Sequence, residues 1–71
     1  MRKLHGPGMK QIRLALGIPA GEFAVDCDIT PGYLSNIEAG RKQPTEEVAT
    51  RFARRLGVPK DSLMYQVDEA A

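Results

Sequence analysis

The side chains with the most to offer chemically lie close together, between residues 33 and 43. Tyr33 carries a hydroxyl on an aromatic plate, which can bond a phosphate or a base edge while its ring meets a thymine methyl. Asn36 carries a carboxamide, a donor and an acceptor side by side, which matches the N6/N7 edge of adenine in a bidentate pair. Arg41 and Lys42 are adjacent cations followed by Gln43, a set suited to phosphate oxygens. Ser35 can donate to a phosphate or pack beneath its own helix. Gly32 has no side chain and lets another backbone or base come close. Chemistry of the bond-breaking kind has little to draw on. There is one cysteine, Cys27, and one histidine, His5, and no nucleophile stands near a base in sequence. A glycine-rich phosphate loop and a metal-ligand cluster are both missing, so no enzyme, metal or cofactor is expected.

These residues need a scaffold, and the apolar spacing supplies one. Met9, Ile12 and Leu16 recur at helical spacing, which predicts a first helix over about 9–16 with Gly17 as its stop. A second helix is expected over about 19–27, with Pro19 at its start and Phe23, Ala24 and Cys27 on one inward face. Asp28 then occupies a turn where a left-handed backbone is expected, a conformation that Asp tolerates better than most residues. A third helix should run over about 31–39, capped by Thr30, opened by Pro31 and closed by Gly40, with Leu34 and Ile37 facing in. That leaves Gly32, Tyr33 and Asn36 facing out. Two short helices joined by a tight polar turn form the layout whose second helix enters a DNA major groove.

A fourth helix follows N-cap Thr45, with Glu46 and Glu47 in its first turn and Arg54 and Arg55 in its last, matching the helix dipole at both ends. Val48, Phe52 and Leu56 form its inward stripe, with Ala53 beside them, and Gly57 and Pro59 end it. A fifth short helix over about 60–65 would return Leu63 to the core. No strand alternation or repeat is visible. The expected fold is therefore all-α, five short helices in one domain over 9–65, with a flexible basic arm at 1–8 (broken by Gly6-Pro7-Gly8) and an acidic tail at 66–71.

The run Ile29-Thr30-Pro31-Gly32-Tyr33-Leu34-Ser35-Asn36-Ile37-Glu38, then Gly40 and Pro44, is preceded by Arg13, Gly17-Ile18 and Phe23-Ala24 and followed by Ala53, Leu56-Gly57-Val58. In this order and spacing the pattern resembles the Cro/repressor type of helix-turn-helix, the XRE or lambda repressor-like family, over about residues 9–64. The resemblance implies a double-stranded DNA-binding transcriptional regulator with base contacts from Gly32, Tyr33 and Asn36. It also implies phosphate contacts from Ser35, Arg41, Lys42 and Gln43, and a structural ion pair between Arg13 on helix 1 and Glu38 on helix 3. Small phage, prophage and mobile-element repressors and Cro-like proteins have this layout. Two departures stand out. Family members usually carry Gln at the start of helix 2, where this chain has Ala20, and Gly in the turn, where it has Asp28.

Composition agrees with a nucleic-acid partner without requiring one. The 71 residues carry a net charge of only +1. Residues 1–60 hold all ten Lys and Arg against six acids, a net of +4, and residues 61–71 hold three acids and no base, a net of −3. A basic body with an acidic tail suits an anionic partner. No apolar run approaches the ~18 residues of a membrane span, and a lone cysteine cannot form an internal disulfide, so a cytoplasmic protein is expected. A single helix-turn-helix covers little DNA, so a homodimer on two half-sites about 34 Å apart is expected. Its surface would come from Leu63, Met64, Tyr65 and Val67. A contrasting reading keeps the fold but makes it a protein-interaction module, such as an antitoxin or a polymerase-binding regulator. The absent helix 2 Gln and the Pro31-Gly32 start of helix 3 favour that alternative.

Overall fold

In the computed structural model, which describes residues 2–67, a strand and four helices are followed by a 3₁₀ turn and a second strand. The order is β1 (Arg2–Leu4), α1 (Gly6–Ala15), α2 (Ala20–Asp26), α3 (Pro31–Glu38), α4 (Glu46–Leu56), the 3₁₀ turn Lys60–Leu63, and β2 (Met64–Gln66). The described residues are mostly helical, with four α-helices among them in place of the expected five helices. Lys60–Leu63 makes only a 3₁₀ turn because Met64 leaves in extended conformation to pair with β1.

That pairing corrects the reading of residues 1–8 as a flexible arm. Arg2, Lys3 and Leu4 lie antiparallel to Gln66, Tyr65 and Met64. Leu4 is fully buried in the core. Gly6-Pro7-Gly8 forms the first turn of α1, where the missing proline N–H costs nothing. His5 caps that turn, its Nδ1 accepting from the Gly8 N–H at 2.9 Å. Gly6 is required by packing: a Cβ there would lie 2.0 Å from the Ile37 carbonyl oxygen of α3. Gln66 belongs to β2, and residues 68–71 of the expected acidic tail lie outside the described residues.

The helix boundaries follow their caps. Thr30 Oγ1 accepts from the Tyr33 N–H at 3.1 Å, and Thr45 Oγ1 accepts from the Val48 N–H at 3.2 Å, each satisfying an orphan donor of the first turn. Asp28 does adopt the left-handed conformation, with φ 60°, between α2 and α3. Phe23 of α2 stacks on Phe52 of α4 with ring centroids 5.4 Å apart. Around that pair Met9, Ala24, Cys27, Leu34, Ile37, Val48, Ala49, Ala53, Leu56 and Leu63 close a single core. Removing either ring would cost about 3–5 kcal/mol, a large share of the stability of so small a domain. Burial first, and the neighbouring Asp26 carboxylate second, push the Cys27 thiol up to about 11, so it serves as a small apolar core group.

Leu16 departs from its expected place in the α1 stripe and stands 54% exposed. The helix overhangs the core at that end, the chain reverses at Gly17, and Ile18 takes the buried position.

Candidate nucleic-acid interface

Glu38 and Arg13 determine how α3 sits. Arg13 Nε donates to Glu38 Oε2 at 2.8 Å and its terminal nitrogen Nη2 donates to Oε1 at 3.2 Å, a fork-on-carboxylate pair. The remaining nitrogen, Nη1, donates to the Ile18 carbonyl at 2.8 Å. The two side chains are only 5% and 7% exposed, so the pair joins the inner side of α3 to α1 under cover from water. With Leu34 and Ile37 also facing in, α3 has one possible rotation about its axis.

That rotation turns Gly32 and Ser35 to solvent and leaves Tyr33 and Asn36 half-buried at the edge of the exposed face. A Cβ added at Gly32 would meet nothing, so internal packing does not explain a glycine there. A close approach from outside would explain it. Beyond the helix, Gly40 takes φ 84° and turns the chain back, so that the Arg41 and Lys42 N–H groups both donate to the Asn36 carbonyl, at 2.9 and 3.2 Å. The side chains follow. Arg41 Nε donates to Asn36 Oδ1 at 2.9 Å, and Lys42 Nζ lies 5.7 Å from the centre of the Tyr33 ring. Four of the seven residues expected to make base or phosphate contacts are thus joined in two pairs on one surface.

Gln43, expected to contact phosphate, stands apart from this group and is bonded to β1. Its Oε1 accepts from the Leu4 N–H at 2.8 Å and its Nε2 donates to the Leu4 carbonyl at 3.3 Å. The carboxamide completes the free edge of β1, which holds the side chain to the ribbon and leaves one Nε2 hydrogen without a partner among the described residues. Nothing near Gln43 in sequence signals this, because its partner is 39 residues away.

A second cation was missed. Lys10, one turn before Arg13 on α1, lines a cleft of about 400 Å³ with Ala20, Pro31, Ser35, Ala39 and Arg41, over the buried Arg13 and Glu38. Its spacing of three from Arg13 was the available signal, since such residues share a helix face. Lys3, held in β1, lines an adjoining cleft with Arg41, Lys42 and Tyr65. Arg2 turns away to pair with Asp61.

The arginines of α4 lie elsewhere. Arg55 Nε donates to Asp26 at 2.6 Å, which holds the guanidinium pKa above its usual range, and Arg51 pairs with Glu47 at 2.7 Å. Asp28 lines the same shallow cleft as Asp26, Arg51, Arg54 and Arg55, so its carboxylate is placed among cations. Glu46, exposed at the start of α4, is held below the ordinary carboxylate range by its bond to Lys60.

The residues expected at a dimer surface are only partly available. Leu63 is 2% exposed and is a core residue, so it cannot form one. Met64 and Val67 are half-buried, and Tyr65 is 45% exposed with its ring edge-on to His5 at 5.6 Å. Among the described residues no helix is long and apolar enough to cross a membrane, and no group of His, Cys, Asp and Glu is placed to hold a metal.

Comparison with known proteins agrees with this geometry. A family model described as helix-turn-helix matches residues 9–63. An uncharacterized HTH-type transcriptional regulator of Sinorhizobium fredii, y4dJ, is 33% identical over 97% of this chain and 90% of its own. Control protein C.BamHI of Bacillus amyloliquefaciens is 34% identical, with 92% of this chain and 83% of the relative covered. The crystal structure of the clp gene regulator ClgR from Corynebacterium glutamicum superposes with a TM-score of 0.78 at 29% identity. That match covers 82% of this chain and 62% of the ClgR chain, so it reaches less than two thirds of that regulator.

Proposed function

We propose that this chain, which belongs to the helix-turn-helix family of DNA-binding transcriptional regulators, reads double-stranded DNA by laying α3 in the major groove. Two copies would sit on two half-sites in the manner of a repressor. The observation that carries the reading is the surface on which Tyr33, Asn36, Arg41 and Lys42 meet, fixed by the buried Arg13–Glu38 pair behind it. Tyr33 and Asn36 supply groups for base edges. Arg41 and Lys42, with Lys10 and Ser35 on the flanking cleft, supply groups for phosphate, and Gly32 allows close approach. Side chains able to touch bases are few, since Ala20, Pro31 and Gly32 add little. Sequence-dependent groove shape therefore carries part of the specificity. In the dimer the second copy would meet the ribbon end of the molecule, through Met64, Tyr65 and Val67.

Selection of bound sequences from a random duplex library tests the reading. Enriched sites should contain two related halves about one helical turn apart. Asn36→Ala should weaken binding to an enriched site by about 1–3 kcal/mol and flatten the preference at one base pair. Lys42→Ala should weaken every sequence alike and reduce the slope of log affinity against log salt by about one. If the wild-type protein enriches no sequence and shows no salt-sensitive binding, the DNA reading fails and the protein-interaction alternative takes its place.

A further inference from the structure

Asn36 is the best base-reading group on α3, and its two ends are in different situations. Arginine has donors only, so the atom facing Arg41 Nε at 2.9 Å must be the carboxamide oxygen. The contact is set by short-range backbone geometry, because the Arg41 N–H is itself bonded to the Asn36 carbonyl at 2.9 Å. With one lone pair of Oδ1 engaged by a cation, the end of the carboxamide left wholly free is Nδ2, which only donates.

We propose that Arg41 is a positioning residue that fixes Asn36 as a hydrogen-bond donor, so that the base facing Asn36 is guanine and not adenine. The proposal rests on the DNA-reading function above. Adenine presents N7 as an acceptor beside an N6 amino group that needs an acceptor in return. A carboxamide oxygen held by Arg41 has one of its two lone pairs engaged, and a second donor brought to it, the N6 amino group, meets the positive guanidinium, so adenine is the poorer partner. Guanine presents N7 and O6, two adjacent acceptors, which suit a donor-only group. Phosphate binding need not release the pair. A guanidinium has five N–H donors, and among the described residues Arg41 uses only its Nε on a side-chain partner, leaving the outer edge of the fork for a phosphate. One arginine can thus hold the reading group and touch the backbone together.

The test compares wild-type protein, Asn36→Ala and Arg41→Ala in the same random-library selection. The enriched site is then resynthesised with each of the four base pairs at the position where Asn36→Ala loses preference. Wild type should bind the guanine site about tenfold more tightly than the adenine site. Arg41→Ala should bind all sites more weakly and reverse the order, preferring adenine, because Oδ1 is released. An adenine preference in the wild type, or an Arg41→Ala loss equal at all four bases, overturns the proposal and leaves the DNA-reading function standing. So does an enriched site at which Asn36→Ala changes no preference. Failure of the wild type to enrich any sequence removes the DNA-reading function and this proposal with it.

Discussion

Two arginines hold α3 from opposite sides, and they do so in different ways. Arg13 meets the inner face with two hydrogen bonds to Glu38 and holds the Ile18 carbonyl with a third, all shielded from water. Arg41 meets the outer face with one side-chain bond to Asn36, at the surface. A buried guanidinium that loses its carboxylate keeps the cost of its desolvation, so the inner contact has no tolerable open state. An exposed guanidinium that loses a neutral partner bonds water, so losing the outer contact costs the fold little. One helix is in this way mounted by its inner contact, while its outer contact orients a reading group and bears little of the fold.

The largest expected effect tests the mounted side. Glu38→Gln removes the charge opposite Arg13 and should cost about 3 kcal/mol. For a domain of this size that lowers the melting temperature by about 12 °C or more. A melt superimposable on wild type would show that the inner pair is no clamp, and the contrast between the two faces would disappear.

How much of this was legible in the sequence depended on distance along the chain. Caps, stops and stripes are local signals, so α2, α3 and α4, the N-caps Thr30 and Thr45, and the positive φ of Asp28 could be read from a few neighbours. The Arg13–Glu38 pair was reached through family resemblance, since spacing alone does not connect residues 25 apart. The β-ribbon could not be read. Three-residue strands show too little alternation, and they pair across nearly the whole chain, from Arg2 to Gln66. Missing the ribbon misplaced everything that depends on it. Gly6-Pro7-Gly8 reads as a breaker in sequence because the close approach of the Ile37 backbone that requires Gly6 is tertiary. Leu63, expected both in the core and at a dimer surface, is 2% exposed and serves only the first. At the candidate site the expected residues Tyr33, Asn36, Arg41 and Lys42 do share one surface, while Gln43 bonds Leu4 and Lys10 joins the flanking cleft. The contacts among the first four were out of reach, because they depend on how Gly40 turns the chain.

An intermediate effect is expected at Gln43, which belongs to the mounted half even though it follows Arg41 and Lys42 in sequence. Gln43→Ala leaves the Leu4 N–H and carbonyl without their partners and should cost about 1–2 kcal/mol. Amide exchange at Leu4 should accelerate, while the salt slope of DNA binding stays as in wild type. The reverse result, an unchanged melt with a shallower salt slope, would return Gln43 to the phosphate-binding group.

The smallest effect is the most discriminating for the reading side. Arg41→Ala removes one exposed hydrogen bond, and stability should change by less than about 0.5 kcal/mol, which is under about 4 °C in the melting temperature. The Arg41 and Lys42 backbone N–H groups still bond the Asn36 carbonyl, so the loop keeps its path without the side chain. Any change in DNA preference in this variant then belongs to the Asn36 carboxamide and not to a displaced helix. A loss approaching that of Glu38→Gln would mean that Arg41 also mounts α3. In that case both contacts would mount the helix, and a change in base preference could no longer be separated from a change in helix position.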